Sequence, residues 1–289
     1  MVSLSPGVAL MALAALCFSL MSVGVKLAVV TVPLGEVVFA RALVTLSLSY
    51  WLCRRAGLRP LGRARGRLLL RGLLGFGGLS AYYGSLGRLP LAEATTIHHV
   101  TPLLTAVAAW LLLGERLTAR TSAAIGLGLG GVVLVALPEL GGASAADPVG
   151  VTIAIAGACC AALAYVTVRR LAREEHPLVI VLYFPLVAVP LALPWMAADC
   201  VWPTAREAAL LLGIGVATQG GQVFLTRALA SMPAGRATAL GYVQVPMAVT
   251  WSVVLFGEAL PWSTWIGIAV LGVGTYLAAR QPRRAAGTP

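Results

Sequence analysis

The sequence predicts an all-α membrane protein with ten transmembrane helices, and three observations lead to this fold class. Of the 289 residues, 59% are hydrophobic and only 11% are charged, whereas soluble domains are about half apolar and about a quarter charged. The mean hydropathy is +0.91, and apolar runs of bilayer-spanning length, roughly 20 residues, recur along the chain. This composition excludes a disordered protein, a nucleic-acid-binding domain and an ordinary cytosolic enzyme.

Ten apolar runs, separated by proline, glycine and charged residues, mark the predicted helices. The first has no basic region ahead of it and is followed by Lys26, which indicates a retained span rather than a cleaved signal peptide. The fifth is short, so tilting or local thinning of the bilayer is expected there. The predicted spans are 7–29, 34–53, 68–88, 91–113, 121–138, 149–170, 178–197, 207–229, 234–256 and 262–279.

The basic residues predict the orientation of these spans. With the N-terminus inside, seventeen of the twenty-one Lys and Arg fall on the cytoplasmic side, seven of them between Arg54 and Arg71. Because cytoplasmic loops carry the excess of Lys and Arg, both termini are predicted to be cytoplasmic. The net charge of +11 therefore indicates orientation and contact with lipid headgroups rather than a nucleic-acid partner. The four outward-lying cations are Lys26, Arg41, Arg88 and Arg206.

The five cysteines indicate neither a disulfide framework nor a metal site. Their number is odd, and Cys17, Cys159 and Cys160 lie inside apolar runs without the spacing of metal ligands. We therefore expect no metal and no cofactor.

The chain also contains an internal repeat at an offset of 143 residues. Helices one to five match helices six to ten, which predicts two repeats at residues 1–140 and 141–289. Because five is odd, equivalent helices enter the membrane from opposite sides, and such inverted repeats are typical of transporters that work by alternating access. The aligned residues are Gly7 with Gly150, Cys17 with Cys160, Lys26 with Arg169, Pro90 with Pro233, Ala94-Thr95 with Ala237-Thr238, and Gly114-Glu115 with Gly257-Glu258.

Three short motifs resemble the EamA type of the drug/metabolite transporter superfamily. They are Gly114-Glu115-Arg116-Leu117, Gly257-Glu258-Ala259-Leu260 and Phe39-Ala40-Arg41. The resemblance implies a ten-helix, multi-pass transporter of the bacterial inner membrane, commonly an exporter of amino acids or related metabolites, with a central cavity. Its partners would be a small-molecule substrate and the lipid bilayer but no nucleic acid, in a monomer or a homodimer.

Polar residues inside the spans are the candidate binding residues, because each must find an internal partner or line a cavity. Prolines at matching depth in the fourth and ninth spans, Pro102 and Pro246, predict paired helix breaks, which mark substrate sites in transporters. Amides, hydroxyls and aromatic rings together suit a small amphiphilic solute. For the histidines alone, a hydrogen bond between helices is an equal alternative. The candidates are Tyr82, Tyr83, His98, His99, Thr101, Gln219, Gln222, Tyr242 and Gln244.

Charged residues within or at the ends of spans add further candidates. Arg41 lies about two turns inside the second span, where it is expected to bind a substrate carboxylate or to form a structural pair with Glu36 or Glu93. Lys26 and Arg169 occupy equivalent helix ends and are expected to extend to the interface, with Lys26 kept as a gate candidate. Two further acids, Glu115 and Glu258, are expected to be turn or capping residues.

One motif is misleading. The segment from Gly126 to Gly131 matches the G-x-G-x-x-G dinucleotide-binding pattern, but it lies in an apolar span with no strand before it. We interpret it as helix packing, because Gly126 and Gly130 have the G-x-x-x-G spacing. Gly267, Gly272 and Gly274 would continue this packing in the tenth helix.

The sequence as a whole favours a secondary transporter that moves a small metabolite. Two alternatives stay open: an intramembrane enzyme that acts on lipid-linked substrates, and a membrane scaffold without a transport cycle. The enzyme is disfavoured because the spans hold only scattered acids and no H-E-x-x-H or Asp-rich cluster. Two modes of energy coupling stay open as well. His98 and His99 are able to bind a proton near neutral pH during the cycle, and a facilitator driven by the solute gradient fits the sequence equally, because no Asp or Glu pair lies within the spans.

Overall fold

A computed structural model describes residues 5–140, 147–257 and 260–280, without the side chains of residues 91–92 and 138–140. This part of the chain is helical and contains no β-strand. The elements are α1 (Pro6–Ala28), α2 (Leu34–Arg55), α3 (Arg65–Leu86), α4 (Leu91–His98), α5 (Thr101–Leu113), α6 (Ala119–Leu140), α7 (Pro148–Leu171), α8 (Pro177–Ala198), α9 (Ala205–Ser231), α10 (Ala234–Leu240), a 3-10 turn (Gly241–Val243), α11 (Gln244–Phe256) and α12 (Trp262–Ala279).

Nine helical segments in the described ranges are long and apolar enough to cross a membrane. Two of them, Glu93–Leu113 and Ala234–Phe256, each combine the helices on either side of a break. Helix α3 is not among the nine, because its glycines, its tyrosines and Arg71 lower its hydropathy. The all-helical prediction is therefore confirmed, whereas the total of ten spans and the orientation of the termini stay predictions.

Local sequence signals explain where several helices begin and end. Asp147 caps α7 by accepting the Val149 N–H at 3.1 Å, and Thr204 and Glu207 form a reciprocal capping box at the start of α9. Helices α5 and α11 end at Gly114 and Gly257, both in the left-handed conformation that glycine adopts without strain. These two glycines are 143 residues apart, so the repeat predicted from sequence extends to backbone conformation.

The two halves of the chain also interrupt their helices at matching positions. Helix α4 ends at His98 and α5 begins at Thr101, while α10 and the 3-10 turn lead into α11 at Gln244, the counterpart of Thr101. Pro102 follows the first break and is unable to donate to the carbonyl of His98. The hydroxyl of Thr101 donates to that carbonyl instead, at 2.5 Å.

Helix packing follows the same symmetry. Helix α1 packs on α9 and α3 packs on α7, and the offset of 143 residues exchanges these two pairs. The α2–α8 and α6–α12 pairs each map onto themselves. The two halves are therefore related by an approximate two-fold operation.

Glycines bring α6 and α12 into close contact. A Cβ added to Gly131 would lie 2.8 Å from the Gly267 carbonyl oxygen, and one added to Gly267 would lie 2.7 Å from the Gly131 carbonyl oxygen. The dinucleotide-like motif is thus part of a helix-packing surface. The choice of glycines was partly wrong, because Gly126, Gly130 and Gly272 meet nothing within 4 Å.

Candidate functional site

The two helix breaks meet at His99 and Tyr242. The Tyr242 hydroxyl donates to the His99 carbonyl at 2.8 Å, and the two rings stack with centroids 6.4 Å apart. Gly128 of α6 leaves room for the Tyr242 ring, since a Cβ there would lie 2.2 Å from it. The His99 Nδ1–H donates to the Thr95 carbonyl at 2.7 Å. The break between α4 and α5 is therefore in direct contact with the 3-10 turn that interrupts the equivalent span of the other repeat.

Aromatic and polar side chains from α3 and α4 gather beside this contact. The ring of Tyr82 lies 4.9 Å from that of His98 and 5.6 Å from that of Tyr83, between centroids. The Tyr82 hydroxyl is 3.3 Å from the Thr95 hydroxyl. We call Tyr82, Tyr83, Thr95, His98, His99 and Tyr242 the break cluster.

Several buried polar atoms near the break cluster have no hydrogen-bond partner within the described ranges. Three of them lie on α4: Glu93 Oε2, Thr96 Oγ1 and His98 Nδ1. A buried polar group without a partner costs free energy comparable to a lost hydrogen bond. These atoms are therefore available to a solute or to water.

A second group of polar side chains connects α2, α9 and α3. Ser49 donates to Gln219 Oε1 at 2.9 Å, and three residues further along α9 Gln222 Oε1 accepts from Arg71 Nη2 at 3.0 Å. Thr45 lies one turn before Ser49 and donates to the Arg41 carbonyl at 2.9 Å. We call Arg41, Thr45, Ser49, Gln219, Gln222 and Arg71 the polar track.

Sequence reasoning missed Arg71 as a site residue. It was counted with the basic loop, yet its side chain lies well inside α3, the residue is 3% exposed, and its guanidinium lies over the Phe184 ring at 5.2 Å. Its Nε is buried without a partner in the described structure. The available signal was its position inside the predicted third span. Thr45 and Ser49 were missed as well, although a spacing of four residues places them on one face of α2 with Arg41.

Arg41 is the other buried arginine of the polar track, with 7% exposure. Its described hydrogen bond goes to the Met21 sulfur at 3.6 Å, and a thioether is only a weak acceptor. Neither expected structural partner binds it: Glu36 accepts from the Val201 N–H at 3.1 Å, and no ion pair within the described ranges joins Arg41 to Glu93. Arg41 therefore holds a buried positive charge without a carboxylate partner in the described structure.

Arg169 does not extend to the interface as expected. Its side chain is 17% exposed and donates through Nε to Glu115 Oε1 at 2.8 Å. It also donates to the carbonyls of Leu229 and Ala230 at 3.0 and 2.9 Å. Glu115 is a capping residue, but for α10 of the other half, because its Oε2 accepts the Ala234 N–H at 2.8 Å. We call Glu115 and Arg169 the clamp, since they join the two halves.

The remaining candidates lie outside these groups. The Lys26 ammonium lies over the Phe256 ring at 4.2 Å, at the α1 end equivalent to that of Arg169. Gln244 begins α11 and is half-buried, and Pro246 lies in the first turn of that helix. Glu258 lies outside the described residues.

Comparison with known proteins gives one consistent result. The EamA-like transporter family matches residues 5–137 and again residues 148–280, at the same offset of 143. The chain is 34% identical over 256 residues to the pseudopaline exporter CntI of Pseudomonas aeruginosa, covering 88% of this chain and 89% of the relative. It is 29% identical over 230 residues to the probable transport protein YPL264C of Saccharomyces cerevisiae, covering 71% and 64%.

More distant similarities agree with this assignment. The chain is 25% identical over 220 residues to solute carrier family 35 member G1 of Mus musculus, covering 72% of this chain and 60% of the relative. A solved crystal structure shares the fold, with a TM-score of 0.84 at 22% identity over 96% of this chain and 99% of the other. The chain belongs to the EamA-like transporter family of the drug/metabolite transporter superfamily, and is a multi-pass transporter of the bacterial inner membrane rather than an enzyme.

Proposed function

We propose that this transporter exports amino acids or related carboxylate-bearing metabolites by alternating access through a central cavity. The family and the similarity to a pseudopaline exporter support the export of a small metabolite. The substrate class rests on Arg41, a buried cation whose described partner is a thioether. A buried charge is costly unless it is paired, and a substrate carboxylate would supply the planar, two-oxygen partner that a guanidinium binds best.

The proposed topology is ten spans in two inverted repeats, residues 1–140 and 141–289, with both termini in the cytoplasm. In this proposal α3 is the third span, which is not among the nine apolar segments described above. It packs on α7 as its counterpart α9 packs on α1, and α9 is apolar enough to cross a membrane. An odd number of spans in each repeat makes the repeats inverted.

The other site residues contact different parts of the substrate in this proposal. Gln219, Gln222 and Gln244 present amides for the polar ends of the substrate, and Arg71 offers a second cation at the opposite end of the polar track from Arg41. The tyrosines and histidines of the break cluster pack on apolar parts of the substrate, while Thr101 supports the break through its hydrogen bond to the His98 carbonyl.

Alternating access requires contacts between the repeats that open in turn. The clamp closes one end, because Glu115 belongs to the first repeat and Arg169 to the second. Lys26 at the equivalent end of α1 is the gate on the opposite side. The breaks that precede Pro102 and Pro246 give the interrupted span of each repeat a point at which to bend.

Uptake into inside-out proteoliposomes tests the substrate class. Purified protein would be screened against amino acids and related metabolites, and each active substrate would be compared with its decarboxylated analogue. The variants are Arg41→Ala and Arg41→Lys, with Arg170→Ala as the matched control because Arg170 is exposed. We expect Arg41→Ala to reduce carboxylate transport by about tenfold or more, with little effect on the decarboxylated analogue.

The outcomes separate binding from a structural role. Partial rescue by lysine, with a raised KM, would support a charge contact with the substrate. An equal loss of transport for a substrate and for its decarboxylated analogue would show that Arg41 only supports the fold. No protein-dependent flux of any amino acid or related compound would overturn the proposed substrate class.

A further inference from the structure

The loop between α2 and α3 borders an open, basic cavity that the transport mechanism does not use, and the four arginines that line it are exposed. Its volume is about 830 Å³, and the end of the α7–α8 connection forms its other wall. We call it the basic cavity. Its charged and polar lining consists of Arg54, Arg59, Arg63, Arg65, Glu175 and His176.

The four guanidinium groups of this lining form no ion pair within the described ranges. The neighbouring Arg67 differs, because it pairs with Glu174 and holds the pKa of that carboxyl below its usual range. The one carboxylate in the lining, Glu175, accepts the backbone N–H groups of Arg63 and Ala64 at 2.5 and 2.6 Å. The lining therefore carries four arginines and one glutamate, an excess of positive charge that no ion pair within the described ranges compensates.

The loop that carries these arginines is held in place by specific contacts. Tyr183 of α8 donates its hydroxyl to the Leu61 carbonyl at 2.8 Å. Gly57 and Gly62 adopt left-handed conformations, and a Cβ on Gly62 would lie 2.9 Å from Glu175 Oε2. Such anchoring lowers the entropy lost when several side chains bind one ligand.

His176 adds a ring N–H donor. Its Nδ1 accepts the Leu178 N–H at 3.3 Å at the start of α8, which leaves Nε2 as the nitrogen that donates to a ligand. Leu58, Leu61 and Val179 supply apolar lining beside these polar groups.

We propose that the basic cavity binds a phosphate-bearing anion. Guanidinium groups form paired, charge-assisted hydrogen bonds with phosphate oxygens. Four arginines around one cavity supply more positive charge and more N–H donors than a single carboxylate or chloride ion is able to bind. Basic pockets between membrane helices bind the headgroups of acidic phospholipids. A free phosphate offers the same chemistry, and the two sources are separated by experiment.

The test uses the full-length protein and two probes. In one arm, inorganic phosphate is titrated into detergent-purified protein at constant ionic strength, with chloride as the reference anion. In the other, the protein is placed in phosphatidylcholine nanodiscs with and without phosphatidylglycerol. The apparent Tm is read in both arms, because a ligand of the folded state raises it. The variants are Arg59→Gln/Arg63→Gln and the control Arg170→Gln/Arg173→Gln. All four arginines are exposed, so the control removes the same charge from equally exposed positions that lie outside the cavity.

We expect a rise in Tm for the wild type and the control, and an affinity about tenfold or more weaker in the cavity variant. A response to phosphatidylglycerol alone identifies a headgroup site, and a response to phosphate identifies a site for a soluble anion. An equal loss in both double variants would show diffuse attraction by surface charge and would overturn the proposal. So would the absence of any response in the wild type.

Discussion

The hydroxyl of Tyr242 donates to the carbonyl of His99, the residue that lies 143 positions earlier and occupies the same place in the other half of the chain. Two residues related by an approximate two-fold operation approach one another only near its axis. The contact therefore places that axis between the two helix breaks. The breaks face each other at the contact between the halves, the arrangement in which discontinuous helices form transporter sites.

Removal of this hydroxyl is expected to weaken the contact between the repeats. Tyr242→Phe leaves the His99 carbonyl without its donor, at a cost of about 1 kcal/mol. The apparent Tm of the purified protein should fall, and the initial rate of transport should fall several-fold. Tyr50→Phe is the control, because Tyr50 is half exposed. An unchanged rate for Tyr242→Phe would show that the contact has no part in the transport cycle.

The histidines of the break cluster are expected to influence the pH dependence of transport. His99 Nδ1 is engaged with the Thr95 carbonyl, whereas His98 Nδ1 has no partner in the described structure. The double variant His98→Gln/His99→Gln should lower the rate or flatten its pH profile between about pH 5.5 and about pH 8, the range in which histidine titrates. Proteoliposome flux across this range measures the effect. A profile identical to that of the wild type would remove both residues from the mechanism.

The clamp is expected to stabilise the state in which it is closed. Because its side chains are largely buried, Arg169→Gln leaves Glu115 partly uncompensated, at a cost of up to about 3 kcal/mol. The thermal stability of Glu115→Gln, Arg169→Gln and the double variant would form a double-mutant cycle. Arg67→Gln should change little by comparison, because the Arg67–Glu174 pair is exposed. Additive losses in the cycle would show that the two clamp residues act independently.

Glycine substitutions should distinguish packed from open positions on α6 and α12. Gly131→Ala and Gly267→Ala place a Cβ less than 3 Å from backbone atoms of the opposite helix, so both should lower the apparent Tm markedly. Gly126→Ala and Gly130→Ala meet nothing within 4 Å and should be neutral or stabilising by up to about 1 kcal/mol, because alanine favours helices. Equal losses at all four positions would argue against specific packing.

Much of the fold was predictable because hydropathy is a local property. The ten predicted runs agree with the helices of the described structure to within a few residues. The offset of 143 was equally visible, since Gly114 and Gly257 end their helices in the same left-handed conformation. The candidate site was predicted less completely: Tyr82 and His98 do lie together, but the partners of Gln219 and Gln222 were not foreseen.

The membrane class, the repeat and the candidate polar residues were predictable from the amino acids alone, because each depends on composition or on spacing along the chain. Which of these residues contact one another became visible in the packed helices. The tertiary structure showed that Arg71 is buried against Gln222, that Glu115 caps a helix of the other half and that Arg41 has no carboxylate partner in the described structure. Such contacts depend on how distant helices pack, and spacing along a single helix carries no information about its neighbours.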